Sequence, residues 1–391
     1  MLEMTGDSPQ SDGRWNTHFS EQLLHLGLAR EHKFPCLGLG YGYTEETAGF
    51  IWAFNKFLGS STWFSTLKGR LGLPDSQITE LKDDPELTGK PFNWEKMHPE
   101  LFVGDTDTGT AVFFSRWTRD YCGITKDGHS REYDQTCLDL LESNITFDVV
   151  VRIPEEKKYK TLVIASAPCL DDSEYAALNR FIANGGCVIA CGAVGTLDKR
   201  ANRRNTPWLS QYGISASVNA TQEMAAPRDC GGMEIPSGWV AVRHGTGRLF
   251  WTDKRNSGQE KIDFPSIIRQ METAPIDLSD DSCRNWRFRI FTDRSNRLIV
   301  HALAVSFKVE MMEELERMRK NPNGNHLISG IRRTPASPAV LVKLNRTCSM
   351  VKYYAPSAER EELLTPREGK LHIHVPEDVY YFILEMTPDN P

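Results

Sequence analysis

The chain has 391 residues, enough for two or three domains. Hydrophobic residues make up 40% and charged residues 25%, a globular rather than a disordered balance. The net charge of −6 gives no electrostatic ground for nucleic-acid binding, and no apolar run approaches the ~20 residues that span a bilayer.

Residues 1–15 are polar, lack a signal-peptide core and read as disordered, which points to the cytoplasm. The nine cysteines are scattered, without CxxC or a Cys/His cluster at zinc spacing. They read as buried thiols, and neither a metal nor a cofactor is called for. The segment from Phe19 to His32 carries a helical pattern. Pro35 to Tyr43 reads as a strand with a glycine-rich exit, and Thr44 as the cap of a helix with the stripe Phe50, Ala53, Phe54, Phe57 and Leu58. Ser61 to Leu67 reads as a second strand. Residues 16–73 therefore have the rhythm of (β/α) units, yet two strands neither close a barrel nor bury both faces of a sheet. Residues 74–109, with Pro74, Pro85, Pro91 and Pro99, read as an irregular linker.

Residues 110–275 read as a flavodoxin-like parallel-sheet domain. Thr110–Ser115 and Phe147–Val151 are strands, and Gly128–Ser143 is a helix. The clearest unit lies in Lys160–Gly192. Leu162–Ala165 is an apolar strand, Asp171 and Glu174 form a capping-box pattern, and Asn184-Gly185-Gly186 stops the helix before the strand Cys187–Cys191. Ile214–Val218, Trp239–Val242 and Gly247–Thr252 supply later strands. Residues 285–391 alternate in short strands, the pattern of an antiparallel β-sandwich. In the first of them Trp286, Phe288 and Ile290 take one face and Arg287 and Arg289 the other. Residues 309–320 read as a helix inserted into that domain. The fold class is thus α/β: incomplete (β/α) barrel units, a flavodoxin-like domain and a C-terminal antiparallel β-sandwich.

Residues 115–123 (SRWTRDYCG), 140–150 (LLESNITFDVV) and 159–192 resemble the amidotransferase-like trimerisation domain of the β-galactosidase-like glycoside hydrolases. HGTGRLFWT (244–252) is similar to the closing strand of that domain. RLIVHALAV (297–305) and HVPEDVYYFILEM (374–386) are similar to strands of the family's C-terminal β-domain, and residues 34–70 resemble its last two (β/α) barrel units. The resemblance covers nearly the whole chain but only the C-terminal portion of such an enzyme. It implies glycoside hydrolysis in carbohydrate metabolism, a carbohydrate substrate, and either a homo-oligomer, with a trimer expected, or a complementary barrel chain.

A barrel glycosidase needs two carboxylates across the scissile bond, roughly 5 Å apart for retention. The strand that would carry the nucleophile, Pro35–Tyr43, has no acid. Glu45 and Glu46 just after it are the weak catalytic candidates, although a carboxylate in a first helical turn is also what the helix dipole favours. Trp63, Lys68 and Arg70 are the candidate substrate-binding residues. The expectation is therefore a chain that is inactive alone; the alternative is a non-catalytic oligomerisation or carbohydrate-binding protein. Cys169 has no flanking glycine for a strained elbow and reads as a buried thiol rather than an amidotransferase nucleophile. Gly38, Gly40 and Gly42 do not match a dinucleotide loop. His372 and His374 share a strand face without a third metal ligand.

Overall fold

The computed structural model describes residues 2–5, 19–41, 45–64, 85–122, 128–155, 158–214, 233–256, 261–306 and 339–389. It divides into two compact units. The first joins Met1–Ala29, Lys33–Asp107 and Pro275–Pro391; the second joins Arg30–His32 and Thr108–Ala274.

The first unit opens with β1 (Leu2–Thr5), α1 (Phe19–His32), β2 (Leu37–Tyr41), α2 (Glu45–Leu58) and β3 (Ser61–Phe64). The strands form a parallel sheet in the order β1-β2-β3. The expected disorder of residues 1–15 is corrected at Leu2–Thr5, a strand that exists through its pairing with β2. Helix α2 is also more than the amphipathic stripe expected of it, because every residue from Ala48 to Leu58 is buried. Two glycines of β2 allow this. A Cβ on Gly38 would lie 2.0 Å from Asn55 Oδ1, and one on Gly40 would lie 2.3 Å from Ile51 Cγ2. Close helix packing, not phosphate binding, is the use of this glycine pattern. Below it, Gln22 Nε2 donates to Ser60 Oγ at 3.0 Å, and Ser60 Oγ donates to Asn55 Oδ1 at 3.0 Å.

The expected irregularity of residues 74–109 is corrected from Pro85 onward, and residues 74–84 lie outside the described residues. Pro85–Met97 is a helix, α3, followed by a 3-10 turn at Pro99–Phe102 and the short strand β4 (Asp105–Thr106). Pro85 starts α3, where a missing N–H is harmless, and Pro91 forfeits one early intrahelical bond. Tertiary contacts offset that loss. Trp94 meets Trp52 edge-on with ring centroids 6.1 Å apart, and Glu95 accepts from Trp52 Nε1 at 2.9 Å and Lys56 Nζ at 2.6 Å.

The second unit contains β5 (Thr110–Phe113), α4 (Arg116–Cys122), α5 (His129–Glu142), β6 (Asp148–Val150), β7 (Thr161–Cys169) and α6 (Asp172–Ala183), then β8 (Cys187–Leu197), β9 (Val240–His244), β10 (Gly247–Thr252) and α7 (Phe264–Met271). Its sheet runs β6-β5-β7-β8-β10-β9, parallel except for β9. The capping box of α6 forms in full: Asp171 Oδ1 accepts the Glu174 N–H at 2.8 Å, and Glu174 Oε2 accepts the Asp171 N–H at 2.9 Å. Strand β8 continues six residues past its expected end at Cys191, through Gly192 and Gly195 at φ +63° and +59°. The part of the strand expected over 214–218 that follows Ile214 lies outside the described residues.

The first unit resumes with β11 (Ile276–Asp277), β12 (Trp286–Thr292), β13 (Leu298–Ala304), β14 (Ala339–Leu344), β15 (Val351–Ala355), β16 (Arg360–Leu364), β17 (Lys370–His374) and β18 (Tyr381–Met386). They form two antiparallel sheets, ordered β11-β14-β17 and β16-β15-β18-β13-β12-β4. Both faces of β12 are buried, and Arg287 and Arg289 are each 3% exposed. Arg289 reaches Thr106 Oγ1 at 3.2 Å, and Arg287 donates to the carbonyls of Arg284 and Trp286. The helix expected over 309–320 lies outside the described residues. Rings from α2 enter the core of these sheets, with Trp52 edge-on to Tyr381 and Phe50 against Tyr380.

Candidate functional site

The three-stranded parallel sheet has one face under α2 and a second that, among the described residues, is exposed at Trp63. Gly38 and Gly40 point at the helix, so Leu37 and Leu39 between them alternate to the other side, where both are half-buried. Leu39 is in register with Trp63 on β3, and the Trp63 side chain is 53% exposed. On the other flank the backbone of Glu3 is in register with Leu39. One row across the sheet thus runs Glu3, Leu39, Trp63. Among the described residues, β1 and β3 each pair on one side only.

This row differs from the expected constellation. Trp63 stands on it. Glu45 and Glu46 are the first two residues of α2, beyond the C-terminal end of β2. Lys68 and Arg70 lie outside the described residues. Glu3 was not a candidate, because LEMT is too short to announce a strand. Its only local signal is an acid between the apolar Leu2 and Met4. An exposed indole offers a broad apolar ring with a polar N–H at its edge, suited to the face of a sugar ring. A glycosidase site also uses carboxylates, and Glu3 is the acidic residue at this register position.

A second polar cluster sits in the other unit, where β7 and β8 leave regular pairing. Ser166 takes φ +45°, and a Cβ on Gly192 would lie 3.1 Å from its hydroxyl. His129 accepts the Ser115 N–H on Nε2 at 3.0 Å and directs Nδ1 to the carbonyls of Ala165 and Ser166, each at 3.0 Å. These partners fix the neutral Nδ1–H tautomer. Burial lowers the pKa of His129 to about 4, outweighing the two carbonyls that accept from its ring. Glu132 on the same helix is 1% exposed and pairs with Arg255, and burial raises its pKa above the usual carboxylate range. Burial likewise pushes the Cys191 thiol up to about 12. Cys169 is fully buried, and its carbonyl accepts from Ser115 Oγ at 3.0 Å and Thr118 Oγ1 at 3.1 Å. An activated thiol needs a lowered pKa and access; Cys191 has neither, and Cys169 has no access. The cluster locks α5 to the sheet.

No family model matches the chain, and no curated protein matches it. Solved structures do. An α-L-fucosidase isoenzyme 2 from Paenibacillus thiaminolyticus aligns over 100% of this chain and 65% of its own, with a TM-score of 0.57 and 16% identity. A β-galactosidase from Bacillus circulans sp. alkalophilus aligns over 94% of this chain and 58% of its own, with a TM-score of 0.59 and 11% identity. A β-galactosidase from Rahnella sp. R3 aligns over 94% and 57%, with a TM-score of 0.57 and 11% identity. The chain spans less than two thirds of the length of each. Its fold is that of the C-terminal portion of a β-galactosidase-like protein, a mixed α/β architecture of partial barrel, flavodoxin-like domain and β-sandwich.

Proposed function

We propose that the chain is the C-terminal part of a carbohydrate-processing assembly of the glycoside-hydrolase type, and that it does not cleave glycosides by itself. The observation that carries this reading is the parallel sheet: three strands whose outer two, among the described residues, each pair on one side only, and an exposed tryptophan on the register row that also holds Glu3. Hydrolysis needs two carboxylates on opposite sides of the scissile bond. The register row carries one acid, Glu3, and the second comes from Glu45, Glu46 or further strands beside β1 or β3. Trp63 then stacks on the sugar, Glu45 and Glu46 at the start of α2 remain candidates, and so do Lys68 and Arg70 outside the described residues. The further strands belong to a complementary barrel chain, and the flavodoxin-like unit serves to associate copies, with a trimer as the expected state.

The exposed Trp63 also favours a second reading, a non-catalytic carbohydrate-binding or oligomerisation protein. Hydrogen exchange on the purified chain tests the main reading. The outward backbone amides of β1 and β3 exchange as fast as exposed amides at every protein concentration if the sheet awaits a different chain. Protection that grows with concentration means a second copy completes the sheet and contradicts it.

A further inference from the structure

The second unit carries a cleft of about 300 Å³, lined by Asn179, Arg180 and Ala183 of α6, by Gln211 and Tyr212, and by His244 at the end of β9. That volume is at the small end of the range for small-molecule sites. Its polar groups are arranged rather than scattered. The Asn179 Oδ1 accepts from Trp208 Nε1 at 2.7 Å, from Gln211 Nε2 at 2.7 Å and from the Tyr212 hydroxyl at 3.4 Å. Three donors on one oxygen fix the orientation of the amide, so its NH2 group cannot turn inward to replace it. Among the described residues the same bonds leave Gln211 Oε1 as a further acceptor. The Tyr212 ring is held edge-on between Trp208, with centroids 5.0 Å apart, and His244 at 5.6 Å. The Asn179 and Gln211 amides and the His244 imidazole therefore line one cleft.

Charge narrows the ligand. The cleft lies against the last two turns of α6, the negative end of the helix dipole, which disfavours an anion. The one full positive charge in the lining, Arg180, is already paired with Glu155. A neutral ligand that both donates and accepts at adjacent positions fits this set, and vicinal hydroxyls do so. We propose that the cleft binds one neutral monosaccharide unit, at a site separate from the parallel three-stranded sheet and independent of whether that sheet takes part in hydrolysis.

The test titrates methyl β-D-galactopyranoside and methyl α-L-fucopyranoside into the full chain carrying Trp63→Ala, so that stacking on that sheet does not contribute, and follows binding by saturation-transfer NMR. At least one glycoside binds. Gln211→Ala and His244→Ala in that background, both at exposed positions, each weaken binding tenfold or more without moving the thermal unfolding midpoint. Absence of binding by both glycosides overturns the proposal. So does binding that neither substitution weakens, or displacement of the bound sugar by inorganic phosphate.

Discussion

His129 and His301 set the acid limit of the two units. His301 is fully buried in the first unit, with Nδ1 2.6 Å from the Tyr381 hydroxyl and Nε2 3.0 Å from the Leu101 carbonyl, and burial lowers its pKa to about 3. A histidine depressed on folding binds fewer protons than the unfolded chain. Its stabilising effect is therefore complete above the unfolded value of about 6.5 and is lost as pH falls toward about 4 for His129 and about 3 for His301. NMR titration of the ring carbons shows both rings neutral at pH 5; a midpoint near 6.5 for either contradicts the geometry. Glu174 acts in the opposite sense. Burial raises its pKa to about 7, with the Asp171 carboxylate adding repulsion. From the unfolded value of about 4.3 up to about 7, the unfolded chain releases a proton that the folded chain keeps, so stability falls as pH rises through that window. Glu174→Gln keeps an acceptor for the Asp171 N–H and removes the titration. Chemical denaturation is expected to show the variant at least as stable as the parent at pH 8, with a flatter profile between pH 5 and 7. A loss of stability at pH 8 contradicts the assignment.

Helix α2 is the element on which the first unit depends. Phe54 is fully buried and meets Phe19 edge-on at 4.9 Å, so Phe54→Ala is expected to cost about 3–5 kcal/mol in denaturant unfolding. A loss under about 1 kcal/mol would mean that the site collapses without a cavity. Gly38→Ala places its methyl on Asn55 Oδ1 and breaks the bonds that join Gln22, Ser60 and Asn55. Elements whose cause is local were legible in the sequence. The capping box of α6 and the extent of α1 follow from residues close together in the chain. Elements whose cause is distant were not. Strand β1 exists through pairing with β2, α3 keeps an interior proline through contacts with Trp52 and Lys56, and β12 buries two arginines because partners such as Thr106 come from elsewhere in the chain. The full burial of α2 did have a signal, the unbroken apolar run Phe50-Ile51-Trp52-Ala53-Phe54. For the same reasons the site was half legible: Trp63 stood out as an aromatic on a short strand, whereas Glu3 joins it through register alone.

At the scale of the whole molecule, the fold is similar to part of an α-L-fucosidase and of β-galactosidases of known structure, of which the chain spans less than two thirds. Among the described residues no helix is long and apolar enough to cross a membrane. Light scattering after size exclusion is expected to give a homo-oligomer, with a trimer as the leading state; a monomer at high concentration removes the association role from the flavodoxin-like unit. The central claim is that a sugar site is present in part and completed from outside. Its most direct test is turnover of 4-nitrophenyl β-galactoside and α-L-fucoside by the purified chain alone. No turnover above the uncatalysed rate is predicted. Measurable turnover abolished by Glu3→Gln or Glu45→Gln would show that the chain holds a complete catalytic site and contradict the account.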